Sequence, residues 1–422
     1  MEHVLGLECT ICGRAYAPDE VEYVCPDHGS DGTLDVRYDY GRIAAHLAKA
    51  GWAGSRSMWR YLPLLPVDAE AARSLIAGNV LSSVGCTPLY PAPGLAEQVG
   101  LRHLWIKDEG RQPTGSLKDR ASAIAIAKAR EKGYATVTTA STGNAAAALA
   151  GLCAAVGQSC VIFCPRTAPQ AKVTQLLVYG ARVLLVDGTY DQAFELCLAA
   201  APEFGWYNRN TGYNPYMSEG KKTVALEICE QLSSDGAWRT PDVVLVPVGD
   251  GCIIGGVHKG FSDLRALGLI DRIPRLIGVQ AAGAAPLVEA WEHGVDPTEM
   301  QPAQVETVAD SIAAGLPRDR VKAMRAVRES GGAFLRVTDE EILSAIPSLA
   351  RRSGVFAEPA AAAAYAGLVR GTALGVIGPH ERVVVLVTGC GLKDVPAANR
   401  AVAQPPVIRP CLADVRQALR SD

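Results

Sequence analysis

The sequence predicts an α/β protein built on buried parallel sheets, and three observations carry that prediction. From residue 104 onward, short β-branched runs alternate with alanine- and leucine-rich stretches of helical length. The β-rich runs are continuously apolar, as strands covered on both faces are. Glycine closes helical stretches, as Gly180 does after 170–179 and Gly205 after 191–204. Parallel strands joined through helices imply right-handed crossovers.

In order, residues 1–40 come first as a separate small module. Cys9-Thr10-Ile11-Cys12 and Cys25-Pro26-Asp27-His28 are two knuckles. They supply Cys9, Cys12, Cys25 and His28 as the four ligands of a tetrahedral structural zinc, in a segment with too few apolar residues to hold a core without metal. The alternative is a metal-free arm with incidental cysteines. Two basic residues, Arg14 and Arg37, face nine acidic ones in this segment, so it repels phosphates and reads as a packing module, not a nucleic-acid ribbon.

Residues 41–80 read as a helical connector whose 59–66 stretch, Trp-Arg-Tyr-Leu-Pro-Leu-Leu-Pro, lies across the body because prolines bar a continuous helix. Strands are expected at 104–107, 136–140, 160–164, 182–186, 243–246, 276–280 and 383–388. Helices are expected at 121–130, from Ala145, at 170–179, 191–204 and 221–232, with a capping box at Thr338-Asp339-Glu340-Glu341 opening another.

The whole chain has 422 residues, 49% hydrophobic and 20% charged, with net charge -3. That balance asks for neither nucleic acid nor an anionic membrane. The opening residues lack a secretory pattern, and the small apolar run 145–157 is too short to span a bilayer. Twelve cysteines, several inside apolar runs, suit a reducing, cytoplasmic setting rather than a disulfide scaffold.

The chemistry centres on Lys118. It follows a flexible, hydroxyl-bearing turn, Pro113-Thr114-Gly115-Ser116-Leu117, and precedes an alanine-rich helix. A lysine held in a partly dry pocket loses its charge readily and can form a Schiff base with an aldehyde cofactor. Gly249-Asp250-Gly251-Cys252-Ile253 joins a strand to a helical stretch, so its backbone N–H groups suit a phosphate, although the Asp250 carboxylate has to point away. Ser141, Thr142, Asn144 and Ala145 surround a second strand-to-helix turn, where hydroxyls, amides and the helix dipole suit a substrate carboxylate.

Together, Pro113-Thr114-Gly115-Ser116-Leu117-Lys118-Asp119-Arg120, Gly85-Cys86-Thr87-Pro88-Leu89, Ser141-Thr142-Gly143-Asn144 and Val387-Thr388-Gly389-Cys390-Gly391-Leu392-Lys393-Asp394 resemble, in order, the motifs of the fold type II pyridoxal-phosphate enzymes, threonine synthases most closely. The resemblance spans about residues 80–400. It implies pyridoxal 5'-phosphate on Lys118, Asn144 at the cofactor's phenolic oxygen, and Thr388 at its pyridine nitrogen. A hydroxyl there leaves the ring largely neutral, favouring elimination and replacement. It further implies a large cofactor-binding domain (81–120 and 216–405), a small inserted domain (121–215), a tail at 406–422 and a homodimer.

The implied activity is β or γ elimination or replacement on an amino acid, with Lys118 also serving as general base. The sequence departs from the family pattern at three places: Met217 where arginine is usual, Ala145 where a hydroxyl residue is common, and Cys390 where histidine is. A thioether cannot replace a guanidinium on a phosphate, so Lys221, Lys222 or Arg209 would have to compensate; otherwise both lysines are solvated helix residues. The alternatives are a serine or threonine dehydratase or β-replacement synthase acting on an unphosphorylated amino acid, and a non-catalytic scaffold.

Overall fold

The computed structural model describes residues 2–141, 143–234 and 236–420. Near the start, β1 (Val4–Cys9), β2 (Ala15–Tyr16) and β3 (Leu34–Tyr38) form an antiparallel sheet in the order β2-β1-β3. This segment is not a self-contained module. Leu7, Tyr16, Leu34 and Val36 belong to the same apolar core as the central helices. Tyr38 Oη donates to Glu219 (2.6 Å), and Lys322 Nζ donates to the Leu34 carbonyl (2.7 Å). Sequence reading missed this because the module's apolar residues are few and find their partners far along the chain.

The connector follows as the helices Tyr40–Ala50 and Ala69–Ile76 with the 3₁₀ segment Met58–Leu64 between them. Trp59 and Tyr61 are buried, and Trp59 Nε1 donates to the Leu81 carbonyl at 2.7 Å, so the proline-interrupted stretch is covered as expected.

Next come β4 (Leu89–Pro91) and β5 (His103–Asp108), then a second sheet made of β6 (Thr136–Ala140), β7 (Ser159–Pro165), β8 (Arg182–Val186) and β9 (Tyr207–Asn208) in the parallel order β8-β7-β6-β9. The chain then returns to the first sheet with β10 (Val243–Pro247), β11 (Arg275–Ala281), β12 (Ala333–Val337) and β13 (Arg382–Val387), giving the order β12-β11-β10-β13-β5-β4. Only the β4–β5 edge pair is antiparallel in that sheet. Strand β10, Val-Val-Leu-Val-Pro, is buried at every residue, as a central strand covered on both faces must be.

Helix Tyr216–Gln231 begins earlier than the expected 221 because Asn214 Oδ1 accepts the Tyr216 amide (3.0 Å) and starts the turn. All the cysteines are free thiols. Among the described residues, no helix is long and apolar enough to cross a membrane.

Candidate active site

A cavity of ≈ 610 Å³ opens between the two sheets, where strands β6 and β10 end. Its wall contains Lys118, Ser141, Asn144, Ala145, Gly249, Asp250, Gly251, Cys252 and Ile253. Thr142 lies outside the described residues. Thr388 is buried, but it is not on this wall; its carbonyl accepts the Leu117 amide (2.9 Å), which ties the end of β13 to the residue before Lys118. Gly115 accepts the Cys390 amide at 3.0 Å, so the motifs around 118 and 388 fold together.

Lys118 is the first residue of helix Lys118–Glu131. The turn before it is held by Asp119, whose carboxylate accepts the Thr114 amide (2.7 Å) and the Thr114 hydroxyl. Burial pulls the Lys118 amine down to about 8; Lys221 and Arg209 push the same way, and Glu358 opposes them. Glu358 was not foreseen in the sequence. Burial lifts its carboxyl to about 7 against the pull of Lys118, and Asn144 Nδ2 donates to it at 2.7 Å. It sits before Pro359 at the head of an alanine-rich helix, where a glutamate reads as an ordinary helix start.

Two helices point free amino-terminal amides at the cavity. Helix Cys252–Ala266 starts from Gly251 in the left-handed region (φ 90°), and no side chain caps it. A Cβ on Gly249 would come 2.8 Å from the Ile312 Cα, and one on Gly251 2.7 Å from the Asp319 carbonyl oxygen, so both positions require glycine. The uncapped amides fit the phosphate of pyridoxal phosphate. Asp250 is pushed toward its neutral form by burial and by Asp319, with Lys221 and the Arg318 amide pulling the other way, which eases the repulsion a carboxylate would offer there. Helix Asn144–Ala155, also without a side-chain cap, begins at Gly143 and Asn144; Ser141 Oγ accepts the Gly143 amide (3.2 Å).

Lys221 and Lys222 are both fully buried, so neither is a solvated helix residue. Lys222 is spent on Glu219 (2.5 Å) and Asp263 (2.6 Å), away from the cavity. Lys221 and Arg209 line the cavity wall, and Met217 is buried in the apolar core. In the amino-terminal segment, the ligand atoms of Cys9, Cys12, Cys25 and His28 lie within 4.8 Å of one another.

Residues 80–389 match the family described as "Pyridoxal-phosphate dependent enzyme", and the chain belongs to that family. Within it the chain is threonine-synthase-like. It is 40% identical to the threonine synthase of Methanosarcina acetivorans over 98% of both chains, and 39% identical to that of Methanocaldococcus jannaschii over 94% of this chain and 95% of the relative. The fold is that of a solved diaminopropionate ammonia lyase from Escherichia coli, with TM-score 0.66 and 22% identity over 83% of this chain and 93% of that one.

Proposed function

We propose that this enzyme converts O-phosphohomoserine and water to threonine and inorganic phosphate, and that Lys118 is its catalytic residue. The observation that carries the reading is a largely buried lysine, brought down to about 8, between two uncapped helix amino termini in one cavity. Bound there, pyridoxal phosphate supplies an aldehyde for the lysine and an electron sink for the substrate's α-carbon. The amides of Cys252 and Ile253 would hold its phosphate. Asn144, steadied by Glu358, and Ser141 orient the substrate carboxylate. Lys118 Nζ takes the proton from the α-carbon, and the charge of Glu358 partly offsets the effect of burial on that amine.

Thr388 supports the lysine turn, and the family resemblance would put its hydroxyl at the ring nitrogen. Free thiols throughout fit a reducing compartment. The cluster of Cys9, Cys12, Cys25 and His28 suits a structural zinc, since sulfur atoms around a tetrahedral zinc are about 3.8 Å apart.

Buried Met217 favours a second reading, in which an unphosphorylated amino acid such as serine or threonine is deaminated. One assay separates the two. Offered O-phosphohomoserine, homoserine, serine, threonine and O-phosphoserine in parallel, the enzyme is expected to release phosphate from the first; turnover of serine or threonine alone would overturn the proposal.

A further inference from the structure

The segment after β13 contains a lysine that the chemistry above leaves unused. Lys393 sits on the 3₁₀ turn Gly391–Asp394, and its amide donates to the Cys390 carbonyl at 3.0 Å. Its amine is buried and, among the described residues, has no hydrogen-bond partner. The side chain rests against the turn before Lys118: a Cβ on Gly115 would come 3.2 Å from Lys393 Cε and 4.0 Å from its Nζ. A second cavity, of ≈ 400 Å³, brings Lys393 together with Thr114, Gly115, Asn144, Lys172 and Cys390. Lys172 is paired with Asp310, so it is Lys393 that remains free to act on its surroundings.

Two of those neighbours, Thr114 and Asn144, are each held by a buried carboxyl. Asp119 accepts both the amide (2.7 Å) and the hydroxyl of Thr114, and Glu358 accepts Asn144 Nδ2 (2.7 Å). The segment carrying Lys393 runs between the two. On one side the Cys390 amide donates to the Gly115 carbonyl (3.0 Å); on the other the Glu358 amide donates to the Gly389 carbonyl (3.2 Å), and a Cβ on Gly389 would overlap Glu358 Oε1. Protonating either carboxyl adds a hydrogen to an oxygen at which a donor already points, so each holds its partner best as an anion.

The charges around the pair leave that anionic form in the balance. Burial lifts Asp119 to about 6; the two Thr114 bonds and Lys393 oppose it, while Glu109 adds to the rise. Burial lifts Glu358 to about 7 against Lys118, Lys393 and the Asn144 bond, with Asp310 adding to the rise. Lys393 is itself drawn down by burial and by Lys172, with Glu358, Asp119 and Cys390 opposing. A cation bonded to one carboxylate would serve that carboxylate alone. An amine bonded to neither acts on both through space.

We propose that Lys393 is a positioning residue for Lys118: its charge keeps Asp119 and Glu358 ionised, so that one fixes the turn before Lys118 and the other fixes Asn144. The proposal rests on the reading of Lys118 as the cofactor lysine, and it requires no particular amino acid as substrate.

The test uses Lys393→Met and Lys393→Gln, which remove the charge, and Lys393→Arg, which keeps it. Affinity for pyridoxal phosphate is read from visible absorption, and kcat/KM is read with whichever amino acid the wild type turns over, both across the pH range. Removing a nearby positive charge raises a carboxyl by about one unit or more, so fewer Asp119 and Glu358 side chains are ionised at low pH. In the neutral variants both quantities are expected to fall about tenfold relative to wild type near pH 6, and to return to within about twofold near pH 9, where both carboxyls ionise unaided. Lys393→Arg is expected to follow the wild type at every pH. A loss that is the same at every pH would mean that Lys393 only packs, and a variant-to-wild-type ratio that stays near one would mean that its charge is idle; either result overturns the proposal. Because the replaced amine makes no hydrogen bond, Tm is expected to change little, and the second neutral variant decides if the first fails to fold. If the cofactor-affinity ratio changes with pH as stated while wild type turns over no O-phosphohomoserine, the role of Lys393 stands and the assigned reaction falls.

Discussion

A lysine and a glutamate set the chemistry of this cavity by moving toward one another in proton affinity. Burial draws Lys118 down to about 8 and lifts Glu358 to about 7. At pH 7 roughly one Lys118 amine in ten is then neutral, against fewer than one in a thousand for an ordinary lysine. The neutral fraction increases with pH and saturates once pH passes the depressed value. In cofactor-free protein, acylation of Lys118 by an amine-selective reagent should therefore rise about tenfold per pH unit below 7.5 and level off near pH 9, whereas solvated lysines continue upward past pH 10. Peptide mapping of the modified protein reads this directly, and a Lys118 profile that tracks the surface lysines would show that burial does not depress it. Lys118 was legible in the sequence because its flanking turn and three further motifs constrain its role. Glu358 was not, and Arg209 was legible only as one of three cations that could compensate for Met217. Each acquires meaning from neighbours distant in sequence, Asn144 for one and Ser122 with Thr138 for the other.

At the scale of elements, the close crossing of two helices fixes where Lys118 sits. Helix Tyr216–Gln231 passes helix Lys118–Glu131 so tightly that a Cβ on Gly220 would overlap the Arg120 carbonyl group. The crossing is tied on the other side by Arg120, which donates to Thr223 Oγ1 (2.8 Å) and pairs with Glu109 and Glu227. Gly220→Ala cannot be absorbed by a side-chain rotation, because both contacting groups are backbone. It should cost on the order of 1–3 kcal/mol in denaturant-midpoint measurements and weaken cofactor capture, since the same shift displaces Lys118. Strands of this fold were readable where an apolar run meets clear turn residues, as at Thr136–Ala140 and Arg182–Val186, which match the expected bounds. Helix Pro359–Ala373 was not readable, because its alanines are buried nearly all round and leave no amphipathic period. The two-residue strand β9 gives no periodic signal at all, yet it places Arg209.

Across the whole molecule, the amino-terminal segment braces the cavity wall that carries Arg209 and Lys221. Tyr23 Oη accepts the Asn208 amide (3.0 Å), its ring stacks on Tyr213 at 4.9 Å, and Tyr38 holds Glu219 on the helix bearing Lys221. Asp31 and Asp35 pair with Arg320 (2.6 Å) and Lys322 (3.2 Å) on the other side of the segment. A metal at Cys9, Cys12, Cys25 and His28 would hold the turns between these contacts, so its loss should reach the cavity through β9 and helix Tyr216–Gln231. Purified protein is expected to carry about one zinc per chain by elemental analysis, set by the four ligands. Chelation should lower Tm by about 2–5 °C and weaken both cofactor capture and substrate binding, with zinc restoring both. Both routes are open, because the segment reaches the helix carrying Lys221 through Tyr38 on Glu219, and the helix that follows the glycine loop through Tyr38 on Lys259 and Tyr40 on Asp263. Cofactor and substrate affinities that stay unchanged on chelation, while Tm falls, would mean that the metal stabilises its own segment and does not act on the cavity through either helix.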